Sequence, residues 1–150
     1  MSGACTSNEA RARLSRIAPR ELFSDSFAPE AAFSGLWLYF SCTEECHQLC
    51  QDLESAEGSY WHAILHRQEP DAFNSGYWFR RVGQHPIFAA LAEAARDAGF
   101  ETGSHWDPFR FIEYCEAARQ RPGSPEYATA CEVQRAEWQL LFDYCARPRA

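Results

Sequence analysis

From Pro29 onward, proline, glycine and capping residues divide the chain into stretches whose apolar positions recur every three or four residues. This punctuation constrains the fold more than any other feature of the sequence. Pro29 opens a helix predicted to run to Glu54, and SAEG (Ser55 to Gly58) follows it as a loop. A second helix is predicted from Ser59 to Gln68 and is broken by Pro70; Asp71 caps a third, which stops at Gly83. His85-Pro86 opens the Ala-rich fourth, which ends at Gly99. Asp107 and Pro108 are the N-cap and first residue of a fifth, which runs to Gln120. After the turn RPGSP, a sixth covers Glu126 to Ala146. No segment alternates in the manner of a strand. The expected fold is all-α, a compact single-domain bundle of about six helices over residues 21–150. Residues 1–20 form an N-terminal arm, either mobile or holding a short amphipathic helix over 7–18.

Hydrophobic residues make up 46% of the 150 positions, enough for a real core without disulfide staples. The formal net charge of -7 argues against a nucleic-acid partner. All 14 basic residues are arginine, which excludes Schiff-base and P-loop lysine chemistry. The longest dense apolar patch, Leu36 to Phe40, is far short of the roughly 18 residues of a membrane span. The N-terminus lacks the apolar region of a secretory signal. A cytoplasmic protein without membrane contact is expected, and a homo-oligomer is compatible with the composition.

Seven cysteines cannot all pair internally. Cys42, Cys46 and Cys50 recur at i, i+4, i+8 and read as small apolar residues of a reduced core, with redox sensing as the sharper alternative. Cys115, Cys131 and Cys145 read as packing. No tight CxxC turn is present.

The segment from Trp61 to Trp78, WHAILHRQEPDAFNSGYW, concentrates the chemistry. On a helix, His62, His66 and Glu69 line one face. If Ser55 to Gly58 closes an antiparallel hairpin, His47 comes level with His66 and Glu44 with Glu69. Glu44-x-x-His47 also has the spacing by which bundles offer a carboxylate and an imidazole to one metal. His47, His62, His66 and a carboxylate would suit zinc, iron, nickel or manganese. Against this, a continuous helix from Pro29 to Glu54 turns His47 about 120° away from its core direction, at ~100° per residue.

The second half of the segment reads as a substrate clamp: Arg67 on an anion, Glu69 or Asp71 as base, Asn74 orienting, Tyr77 and Trp78 as walls. The same residues also read as a capping and salt-bridge cluster. His85 and His105 read as exposed residues or local caps.

His66, Arg67, Glu69, Asp71, Asn74, Tyr77 and Trp78 spell H-R-x-E-x-D-x-x-N-x-x-Y/W, which resembles a pattern in a group of small, mainly bacterial proteins with distant fungal relatives. The resemblance covers about a fifth of the chain and brings no activity with it. A looser similarity links the lone histidine plus HxxxH to DinB-like metal-binding bundles, although their HxxxH comes much later, on a different helix.

Two readings follow. In the first, a pocket around His62, His66, Arg67, Glu69, Asp71 and Asn74 binds a small polar or anionic ligand, with a divalent metal as cofactor and hydrolase or lyase chemistry. There His66, Glu69 and Asp71 are catalytic, Arg67, Asn74, Tyr77 and Trp78 bind ligand, and His47, His62 and His66 hold metal. In the second, the protein is a non-catalytic helical interaction protein and the motif is a structural polar clamp.

Overall fold

A computed structural model of the chain describes residues 5–149; residues 1–4 of the expected arm and residue 150 lie outside them. Among the described residues the protein has nine α-helices and no strand, so the all-α expectation holds and the count of about six does not. Three differences account for the change. The segment read as an arm contains α1 (Asn8–Leu14), α2 (Pro19–Leu22) straddles the expected boundary at residue 20, and the helix expected from Pro29 to Glu54 is two helices, α3 (Pro29–Tyr39) and α4 (Thr43–Cys50).

The break between α3 and α4 is a helix C-terminus built without glycine. Ser41 takes a left-handed conformation with φ 59°. Its N–H donates to the Leu38 carbonyl, and the Cys42 N–H donates to that of Trp37. This pair of bonds satisfies the last carbonyls of α3 by the usual left-handed termination, normally a glycine's task. The turn resets the helical phase, so a wheel drawn from Pro29 to Glu54 misplaces every residue after position 41.

The remaining helices follow the punctuation, except that residues 56–58, expected in the loop before Ser59, already belong to the helix. They are α5 (Ala56–Gln68), α6 (Ala72–Val82), α7 (Phe88–Asp97), α8 (Pro108–Arg119) and α9 (Pro125–Ala146). Ser55, Asp71, Asp107 and Ser124 cap α5, α6, α8 and α9 by accepting backbone N–H bonds in the first turn.

α5 is the central helix. Residues 57–65 and Arg67 are all buried, so this helix is covered on every side. α3, α4 and α6 pack on it, and α9 reaches it through Tyr60 and Trp61. α3 approaches it closely at Gly35, where an added Cβ would lie 2.6 Å from Trp61 Cζ2. The Gly35 carbonyl accepts the Trp138 indole N–H at 2.9 Å, which ties α3 to α9 as well.

The N-terminal segment is docked. Leu14 joins the core, Thr6 bonds the Phe40 carbonyl, Arg11 pairs with Glu45 of α4, and Cys5 is disulfide-bonded to Cys42. Cys42 is therefore no reduced core residue, because the turn at Ser41 brings it against the N-terminal segment. Cys46, Cys50, Cys115 and Cys145 are buried free thiols, as expected, whereas Cys131 is exposed. No helix is long and apolar enough to cross a membrane among the described residues.

Candidate metal centre

His47 on α4 and His62 and His66 on α5 meet on one side of the central helix. Each offers a ring nitrogen within 4.8 Å of those of the other two. The His62 ring stands edge-on to His47 at 4.7 Å between centroids and stacks with His66 at 4.8 Å. His47 and His66 are 5.7 Å apart. The outward orientation expected for His47 is thus overturned. With the phase reset at Ser41, α4 forms the antiparallel partner of α5 that the hairpin argument requires, and α5 covers the flank carrying His47.

His62 is 2% exposed, and neither Nδ1 nor Nε2 has a hydrogen-bond partner. Its remaining face is closed by the Trp78 indole of α6, stacked at 3.9 Å and 20°. Burial, with the neighbouring His66 and His47 adding to it, holds the His62 pKa down to about 3. The imidazole is therefore neutral at pH 7, with a nitrogen lone pair in a site that gives it nothing to bind. A buried polar ring left unmatched costs about 1–3 kcal/mol, and such a group calls for an explanation.

His66 is neutral for the same main reason. Burial lowers its pKa against the opposing pull of Glu69 and Asp71. Its Nδ1 lies 3.5 Å from Glu69 Oε2 and 3.8 Å from Asp71 Oδ2. Neither carboxylate is within hydrogen-bonding reach, so His66 Nδ1 is buried without a partner and feels the two acids only as neighbouring negative charge. Asp71 is also the α6 cap, accepting the Asn74 N–H at 3.1 Å and its side-chain amide at 2.7 Å. Asn74 is thereby committed to the cap. Glu44, the carboxylate suggested by the Glu-x-x-His spacing, is exposed and stands outside the histidine group.

Arg67 departs most from the expected ligand pocket. Successive helical side chains point about 100° apart, so while His66 faces α4, Arg67 enters the core at 1% exposure. Its Nη2 donates to Glu137 Oε1 at 2.5 Å and to Gln134 Oε1 at 3.1 Å, and its guanidinium lies 4.6 Å over the Phe111 ring. Burial alone would lower the Arg67 pKa, yet the Glu137 carboxylate carries it upward. Tyr60 donates to the other oxygen of Glu137 at 2.9 Å. Arg67 is therefore one half of a buried ion pair, with its guanidinium committed to Glu137 and Gln134. Tyr77 is 43% exposed and reaches the site only through its edge contact with Trp78.

Glu137 escaped the sequence reading, although a signal existed. Val133, Glu137, Leu141 and Cys145 form an i, i+4 stripe on α9, and all four are fully buried. An acid inside such a stripe implies a buried cation, but nothing local points to one 70 residues away. His85, expected to be exposed or a local cap, is buried: Nδ1 accepts the Ile87 N–H locally, while Nε2 lies 3.1 Å from Glu57 of α5, 28 residues away. His105 is exposed.

The His62 geometry gives a pH dependence. An unfolded imidazole titrates near 6.5, so between about pH 6.5 and 3 the unfolded chain binds a proton that folded His62 refuses. Stability of metal-free protein is then fully present above that window and falls as pH falls through it, by up to about 1.4 kcal/mol per pH unit. Glu57 and Asp71, whose pKa values are lowered by bonds from His85 and Asn74, act in the same direction at lower pH. Urea denaturation with chelator at pH 7 and pH 5 should show this loss, and a His62→Leu variant should lose less.

No family model, curated protein or solved structure matches this chain.

Proposed function

We propose that the protein binds a divalent transition-metal ion through His47, His62 and His66 and uses it in hydrolytic or lyase-type chemistry on a small polar substrate. The observation that carries this reading is His62, a buried neutral imidazole with two unmatched nitrogens in contact with two further imidazoles. Three imidazole ligands suit zinc, iron, nickel or manganese, and three protein ligands leave a position for substrate. An ion held there supplies Lewis-acid polarisation of a substrate oxygen.

The chain's own residues divide the remaining work. Glu69, 41% exposed beside His66, is placed to take a proton from substrate or water and return it. Asp71 holds the start of α6 and keeps negative charge next to His66. Trp78 seals the inner side of His62 against water. With Arg67 committed to Glu137, the acidic flank formed by Glu69 and Asp71 favours a neutral or cationic substrate over an anionic one.

The structural-clamp reading has its own support, confined to Arg67 with Glu137, Gln134 and Tyr60. The H-R pair thus serves two tasks on opposite sides of α5. Cobalt titration of chelator-treated protein tests the metal reading. One equivalent is expected to bind with visible d–d absorption, and His47→Ala, a change at a half-buried position, should abolish saturable binding. Equal binding by wild type and variant would refute the assignment of His47.

A further inference from the structure

A second cluster lies at the other end of α4, and it stands independently of the three-histidine reading. The Sγ atoms of Cys5 and Cys42 and a carboxylate oxygen of Glu45 lie within 4.8 Å of one another. Cys5 and Cys42 are joined as a disulfide, so neither sulfur is a thiolate in this state. Glu45 Oε1 accepts from Arg11 Nε at 2.6 Å, whereas Oε2 is buried from solvent with no partner. A carboxylate oxygen in that position is costly unless something positive reaches it.

We infer that Cys5, Cys42 and Glu45 form a redox-gated metal site, closed in the disulfide and opened by reduction to bind a zinc-class divalent ion. A dithiol supplies two electrons and two protons: the S–S bond breaks, each sulfur gains a proton, and the dithiol leaves as its own disulfide. Metal binding then expels the two thiol protons, because the thiolate is the ligand. Two thiolates and one carboxylate carry three negative charges. A divalent ion together with the Arg11 guanidinium cancels them. Arg11 holds Oε1 and so orients Oε2, as a ligating carboxylate is normally held by an outer hydrogen bond. Soft sulfur ligands with one oxygen select zinc or cadmium over magnesium or calcium.

The second site shares its helix with His47, so one eight-residue element carries ligands for both centres. Neighbouring thiols do not supply an equivalent cluster. The free thiols of Cys46 and Cys50 are hydrogen-bonded to each other, and that hydrogen bond, together with burial, raises the Cys46 pKa well above that of an ordinary thiol.

The experiment uses the full chain in a His62→Leu background, which removes the histidine centre from the readout. The protein is treated anaerobically with a trialkylphosphine, which takes oxygen from water as the phosphine oxide while water's two protons go to the sulfurs. Cobalt(II) is then added and the near-ultraviolet thiolate-to-cobalt charge-transfer band is followed. The band is expected only after reduction and should saturate at one equivalent. It should disappear in Cys5→Ser and fail to saturate at equimolar cobalt in Glu45→Gln, which retains both sulfurs. Absence of the band in reduced protein, or its persistence in Cys5→Ser, would overturn the site. An unchanged titration in Glu45→Gln would overturn the part assigned to Glu45.

Discussion

Arg67→Ala is expected to lower unfolding stability by about 3–5 kcal/mol, the range for removing one partner of a buried ion pair. Arg67 and Glu137 are 1% and 0% exposed, so the lost guanidinium leaves a carboxylate enclosed by apolar groups with Tyr60 as its remaining donor. Gln134 also loses its partner, and the cation over the Phe111 ring disappears. For a chain of this size each kcal/mol moves the melting temperature by about 2–4 °C, so the change is large on any scale. A combined Arg67→Met, Glu137→Leu and Tyr60→Phe variant removes both charges and the tyrosine donor, leaving Gln134 in place, and should recover most of the loss, since the cost lies in the unpaired charge. Urea denaturation of wild type, Arg67→Ala and the combined variant checks this. Loss of cobalt binding in Arg67→Ala at a temperature where it is folded would contradict the placement of Arg67 outside the metal centre.

The second expectation has the opposite sign. His62→Leu should abolish metal binding and at the same time raise the stability of metal-free protein by about 1–2 kcal/mol, within the range for relieving an unmatched buried polar group. Leucine has closely similar volume and asks nothing of a site that offers His62 no hydrogen bond. Some of the gain is offset by losing the stacked contact with Trp78, worth about 0.5–1.5 kcal/mol. A purely structural histidine would behave in the reverse way, with substitution destabilising the fold and metal playing no part. Functional sites commonly sit at such a local cost in stability. Adding metal should bring wild type level with or above the variant, because an ion that binds only the folded state adds stability by mass action.

Much of the fold was legible because its boundaries are local chemistry. Asp71 and Asp107-Pro108 place helix starts where the structure has them, and the last helix starts at Pro125, one residue before the expected Glu126. The α3–α4 break was not legible, because its left-handed residue is Ser41 where a glycine would have announced the turn. That single residue hid the orientation of His47 and the pairing of Cys42. The hairpin between α4 and α5 did bring His47 to the HxxxH pair, although it turns at residues 51–55 and not at the expected 55–58, and His47 lies nearer His62 than His66. The true partner of Arg67 needed tertiary information: Glu137 is 70 residues away, and only its place in an apolar stripe hinted at a buried cation.

The most direct measurement is metal content by mass spectrometry of wild type purified without a histidine tag, beside His62→Leu prepared identically. The three-histidine centre predicts close to one equivalent of a transition metal in wild type, present natively or after reconstitution with zinc, and none in the variant. Wild type that neither carries nor takes up metal, or a variant that holds as much, would contradict it.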